Sequence, residues 1–141
     1  MTLIADINTI TGALEVSGVK RVYTMADLKK GVSKPDLPAI VPVIRTGTFN
    51  RVAFGAVDGS YNDQHTIILR LLERPAQPGI QGEALSSIAG YVHAIRQGLV
   101  TLDAAQSSIS LEPDKYEAGI VDWYGVQYYG ADIYIELQVS D

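Results

Sequence analysis

Apolar residues at Leu3, Ile7, Ile10 and Leu14 follow the i, i+4, i+7, i+11 spacing of one helical stripe, so the chain is expected to open with a helix. Thr2 is placed to cap its start and Gly18 to stop it. Gly12 weakens its interior by up to about 1 kcal/mol. A second stripe, Leu85, Ile88, Val92, Ile95 and Leu99, predicts a helix over residues 83–97, interrupted by Gly90. That glycine either permits close packing against a sheet or simply costs stability.

The remaining apolar segments read as strands, by their β-forming residues or by alternation. Residues 19–24 are rich in β-formers. Residues 39–45 form a strand in which Pro42 lacks a ladder donor, which requires a sheet edge or a bulge. Residues 49–57 and 65–73 are expected to pair as a hairpin across the turn-forming residues 58–63. Ile67, Leu69 and Leu71 share one face, while Ile68 and Leu72 require the other face to be covered as well. Strands over residues 107–111, 116–123 and 126–139 close the chain, with a turn starting at Pro113-Asp114. In the last, Ala131, Ile133, Ile135, Leu137 and Val139 alternate with Asp132, Tyr134, Glu136 and Gln138, the signature of a half-buried antiparallel strand. The expected fold is therefore α+β, a mostly antiparallel sheet packed with two helices in the order α-β-β-β-β-α-β-β-β. The connection over residues 25–38 is long for a packed domain, and long connections tend to carry function.

Length and composition refine this picture. A chain of 141 residues is the usual size of one domain and buries about two-thirds of its unfolded surface. With no cysteine, it has neither disulfides nor thiol chemistry. No apolar run approaches the ~18 residues of a membrane span, and Asp6 interrupts what would be the core of a secretory leader, so neither is expected. Charge divides unevenly. Residues 1–51 hold seven Lys or Arg against four Asp or Glu, and residues 52–141 hold four against twelve, for a net charge of −5. Either the two faces of one domain differ by chance, or the basic front of one copy meets the acidic rear of the next.

Candidate chemistry is sparse. His65 and His93 have no second ligand at metal spacing, and no Ser sits in a nucleophile elbow. Asp58, Asn62 and Asp63 miss the calcium-loop pattern because Gly59 directly follows the first Asp, so turn chemistry accounts for them. Neither glycine-rich phosphate loop is present. Glu112, Asp114, Glu117 and Asp122 suit a solvated edge better than a carboxylate pair for glycoside hydrolysis. No enzyme activity, cofactor or metal is expected.

Aromatic residues are more informative. Trp123, Tyr124, Tyr128, Tyr129 and Tyr134 fall close together near the end of the chain. Such residues suit a protein interface, and they equally suit cross-strand pairing within a sheet. Nucleic-acid stacking is disfavoured by the neighbouring Asp122 and Asp132.

Three stretches, taken together, resemble the joining proteins of tailed bacteriophages, namely tail terminators and head-to-tail connector (neck) subunits. They are Gly18-Val19-Lys20-Arg21-Val22-Tyr23 followed by a loop ending Asp36-Leu37-Pro38-Ala39, the hairpin strand leading into a mid-chain helix, and the closing Trp123-Tyr124-Gly125-Val126-Gln127-Tyr128-Tyr129-Gly130-Ala131-Asp132-Ile133-Tyr134-Ile135. The resemblance implies a homo-oligomeric ring, often sixfold, stacked against other connector or tail proteins and enclosing the DNA channel. It further implies assembly in the host bacterial cytoplasm and residence in the virion. An acidic lumen would let DNA slide without sticking. Candidate subunit-contact residues are Lys29, Lys30 and Lys34 in the long loop and Trp123, Tyr124, Tyr128 and Tyr129 in the aromatic strand. Two other functions compete: a small-molecule-binding or enzymatic α+β domain with a site of scattered polar groups, and a nucleic-acid adaptor using the basic front.

Overall fold

The computed structural model describes residues 3–28, 31–48, 62–105 and 110–140. Its elements run α1 (Leu3–Ala13), β1 (Arg21–Val22), β2 (Ala39–Thr48), β3 (Asn62–Pro75), α2 (Gln81–Ala105), β4 (Ser110–Trp123) and β5 (Val126–Ser140). Two short 3-10 turns, Met25–Asp27 and Lys34–Asp36, lie within the β1–β2 connection. The strands form one sheet in the order β1-β2-β3-β5-β4, antiparallel except for β1 against β2. This is the α+β architecture expected from the sequence. The expected strand at 49–57, most of the turn at 58–63 and the capping Thr2 lie outside the described residues.

Both helices cover one face of the sheet. Ile7, Ile10 and Leu14 of the first stripe are buried there with Ile88, Ile95 and Leu99 of the second. Beneath them lie Ile67, Leu69 and Leu71 of β3 and Ala131, Ile133, Ile135 and Leu137 of β5. Each such large side chain contributes about 1.5–3 kcal/mol by leaving water, which explains why both stripes and both alternations fold toward a common layer.

The helices differ from expectation at their ends. α1 stops at Ala13, and Gly18 instead forms a later turn at φ 89°, where a β-carbon would press on Tyr91. α2 runs on to Ala105 because its stripe continues through Leu99 to Leu102. Gly90 faces open space, so it does not serve close packing. Gly98 does, since a β-carbon there would lie 3.0 Å from Leu14 Cδ1 and 3.4 Å from the Glu15 carbonyl oxygen.

Pro42 of β2 sits where a donor is not missed. Lys20 and Tyr23 donate their N–H groups to the Pro38 and Ile40 carbonyls, so even-numbered residues of β2 point toward β1. Pro42 shares that direction but lies beyond the end of β1, where β2 has become an edge. A bulge follows between Ile44 and Thr46. Residues 113–114 do not turn the chain. β4 passes through them as one strand, with a register shift between Pro113 and Lys115. The bulge takes the extra residue while both sides remain paired with β5, so the two short strands expected here are one.

The second face of the sheet is covered at one end by the β1–β2 connection. Leu37, Leu28 and Val32 pack there with Tyr23, Ala39, Val41, Leu72 and Tyr128. This is the cover that Leu72 demanded.

Candidate interaction surface

The long connection is held down by a small charge network at the β1 edge. The Tyr23 hydroxyl donates to Asp36 Oδ2 at 2.7 Å, and Arg21 donates to the same oxygen at 3.2 Å. The Arg21 guanidinium lies over the Tyr23 ring, 4.1 Å from its centroid. Donation from Tyr23, then from Arg21, holds the Asp36 carboxyl below its ordinary value. Burial, then the Asp36 bond, pushes the Tyr23 hydroxyl up. Asp27 closes the first 3-10 turn by accepting from the Thr24 N–H at 3.2 Å and its hydroxyl at 3.0 Å.

From this anchor the loop crosses to the β4–β5 hairpin tip. Trp123 pairs with Val126, leaving Tyr124 and Gly125 as a two-residue turn, with φ 51° and 78°. Positive φ at both positions gives the mirror-type turn that matches strand twist. The Trp123 and Tyr124 rings meet edge to face, 5.2 Å apart. Leu28 and Val32 pack into the cluster that includes Trp123, and a β-carbon on Gly31 would lie 3.7 Å from Tyr124 Cβ. The structure thus brings the long loop against three of the four aromatic candidates, Trp123, Tyr124 and Tyr128. Tyr124 is 58% exposed, and Trp123 Nε1 is buried with no hydrogen-bond partner among the described residues.

The other candidates divide. Lys34 is exposed at the start of the second 3-10 turn, while Lys29 and Lys30 lie outside the described residues. Tyr128 is buried in the cluster under the loop. Tyr129 is buried on the helix side, where its hydroxyl donates to the Gln77 carbonyl at 2.7 Å. These two tyrosines stabilise the fold and present no surface to a partner. Alternation along β5 sends them to opposite faces, and each face is covered at that end of the sheet.

The exposed feature not expected from the sequence is an apolar pair, Tyr116 and Ile120, on the outer edge of the sheet. β4 is a terminal strand spanning Ser110–Trp123. Glu112, Asp114, Glu117 and Asp122 are all exposed along it, as a solvated edge requires. Tyr116 and Ile120 project on the helix side yet remain 58% and 56% exposed, because α2 covers only part of that flank. Part of the signal was present in the sequence: residues 116, 118 and 120 share one parity, and Pro113 is compatible with an edge as well as with a turn.

Between α2 and β4 opens a cavity of about 360 Å³, with Val92, Tyr116 and Ile133 among its apolar walls and Arg96, Asp114 and Lys115 among its polar ones. His93 lies in a separate groove between α1 and α2, 3.3 Å from the Gln97 side chain. Among the described residues there is no cluster of three or more metal-ligating side chains, and no helix long and apolar enough to cross a membrane. No protein-family model matches this sequence, and neither does any curated protein.

Proposed function

We propose that this chain is a structural subunit that assembles with copies of itself into a ring, at the tail end or head–tail joint of a tailed bacteriophage particle, around the DNA channel. The observation that carries the self-assembly reading is β4. It is a long sheet edge with no strand beside it among the described residues, flanked by exposed Tyr116 and Ile120. Pro113, the bulge beside it and the charges from Glu112 to Glu117 blunt this edge against backbone pairing, so association would run through its side chains, with Tyr116 and Ile120 supplying the apolar part. Place and partners in the particle come from the resemblance of the Gly18–Tyr23 and Trp123–Ile135 stretches. The excess of acid over base after residue 51 suits a channel wall that does not hold DNA.

Light scattering behind a sizing column, across a range of concentrations, tests the proposal. A discrete ring-sized species is expected. A monomer at every concentration would remove the support that β4 gives.

The cavity between α2 and β4 favours a second reading, a small-molecule site of modest size. A thermal shift by one compound class across a metabolite panel would support that reading, and a flat response would leave the structural role.

A further inference from the structure

The two edges of the sheet carry opposite free charges, and from this we infer how copies of the chain meet. The acidic β4 edge of one copy seats against the β1 edge of the next, head to tail. The inference rests on the self-assembly reading above and specifies its interface.

On β4, Lys115 and Glu117 face each other at 3.7 Å and largely cancel. Glu112 and Asp114 remain exposed, with no ion-pair partner among the described residues. At the far edge, Arg21 is already engaged by Asp36 at 3.2 Å and Asp27 at 3.7 Å. Lys20 and Lys34 are exposed there, also with no ion-pair partner among the described residues. Lys20 precedes β1, and Lys34 stands two residues before the Asp36 that Arg21 grips, so both cations belong to the β1 side.

The apolar groups agree with this pairing. Tyr116 and Ile120 lie on the helix side of β4. Ile4 of α1 is 42% exposed, and α1 is tied to the β1 side by the Met25 N–H donating to Asn8 Oδ1 at 3.0 Å. If successive sheets keep their helix faces on the same side, Ile4 of one copy approaches Tyr116 and Ile120 of the next while the free lysines approach the free acids. Two unlike edges cannot satisfy each other in a twofold dimer through one self-complementary patch. They require a head-to-tail contact, which is the kind that closes into rings.

Charge reversal with complementation is the test. One variant carries Glu112→Lys and Asp114→Lys, and the other carries Lys20→Glu and Lys34→Glu. All four positions are exposed, so circular dichroism and thermal melting should match the parent. Each variant alone has two edges of like sign, and its self-association should weaken about tenfold or more. An equimolar mixture should regain the parent mass, because the reversed β4 edge of one faces the reversed β1 edge of the other. Loss of mass at high salt should accompany the parent assembly. A parent that assembles while both variants assemble equally well overturns this pairing and leaves self-assembly standing. Variants that dissociate but do not complement overturn it too. A parent that is monomeric throughout overturns the self-assembly reading and the pairing with it.

Discussion

Arg70 grips Asp132 across the β3–β5 pair with two parallel hydrogen bonds, Nε to Oδ1 at 2.7 Å and Nη2 to Oδ2 at 3.0 Å. Its third arm donates to the Asp122 carbonyl at 3.2 Å, which ties β4 into the same clamp. The pair sits at a register position on the face opposite the helices, between Leu72 opposite Gly130 and Ile68 opposite Tyr134. The fork geometry fits a carboxylate, which a lysine would not reproduce. The two side chains are only 22% and 13% exposed, so screening by water is limited.

Removing either partner therefore strands the other in a partly dry site. Arg70→Met or Asp132→Asn should each lower stability by about 1–3 kcal/mol. Combining Arg70→Met with Asp132→Asn should cost less than the sum, because no unpaired charge is left behind. Urea unfolding of the four proteins forms the cycle. Additive losses would show that the clamp contributes little as a pair.

Gly130 and Gly90 should respond to alanine with opposite signs. A β-carbon on Gly130 would collide with the Leu71 backbone carbonyl, and backbone cannot step aside without breaking the β3–β5 ladder. Gly130→Ala should cost upwards of about 2 kcal/mol or prevent folding. Gly90 is exposed in the middle of α2 with open space around it, so Gly90→Ala should stabilise by about 0.5–1 kcal/mol. Thermal melts of the two variants decide the matter.

Most of the layer facing the helices was legible in the sequence because it is periodic. Ile7, Ile10, Ile88, Ile95, Ile67, Leu69, Ile133 and Ile135 all lie where their stripes or alternations put them. What was not legible depends on neighbours distant in sequence. Pro113 signals an edge or a turn equally well, and only pairing of both flanks with β5 makes it a bulge. Gly90 and Gly98 look alike on a helix, and only the approach of Leu14 separates them. For the candidate surface, composition singled out the aromatic residues but not which were exposed. Tyr124 and Tyr128 differ because one occupies a turn and the other lies beneath the loop. Tyr116 and Ile120 share one parity in the sequence, but their exposure depends on how far α2 reaches, which the sequence does not show.

Two aspartates should give opposite pH responses. Asp6 is 2% exposed in the first turn of α1, with Oδ1 unpartnered among the described residues, and burial raises its pKa above the ordinary value of 3.8. Ionisation is thus easier in the unfolded chain, and stability falls as pH rises above 3.8 toward the folded value. Asp6→Asn should narrow that loss, with the variant gaining on the parent between acidic and neutral pH. Asp36 is the reverse case. Its pKa lies below 3.8, through the Tyr23 hydroxyl first and then Arg21, so its contribution is present above 3.8 and disappears as pH falls through the folded value. Asp36→Asn should therefore lose stability relative to the parent at neutral pH and converge with it in acid. Melting temperature against pH for both variants checks the two signs, and parallel curves would refute the assignments.

Tyr124 is the non-glycine residue at positive φ among those described, and it occupies the first position of a turn that favours asparagine followed by glycine. Gly125 already supplies the second half of that pair. A bulky ring in this conformation costs stability, of order 1 kcal/mol, that a better turn residue would recover. Strain retained at an exposed aromatic residue points to a use for the ring, and Tyr124 stands beside Trp123 and the Gly31 loop at one corner of the molecule. Tyr124→Asn should therefore raise the melting temperature of the isolated chain by several degrees. If copies assemble as proposed, the same substitution should weaken association between them. Tyr124→Phe should keep association while leaving the turn strained. A variant that is more stable and assembles like the parent would assign the tyrosine no part in contact, and would leave the β4 edge as the surface that matters.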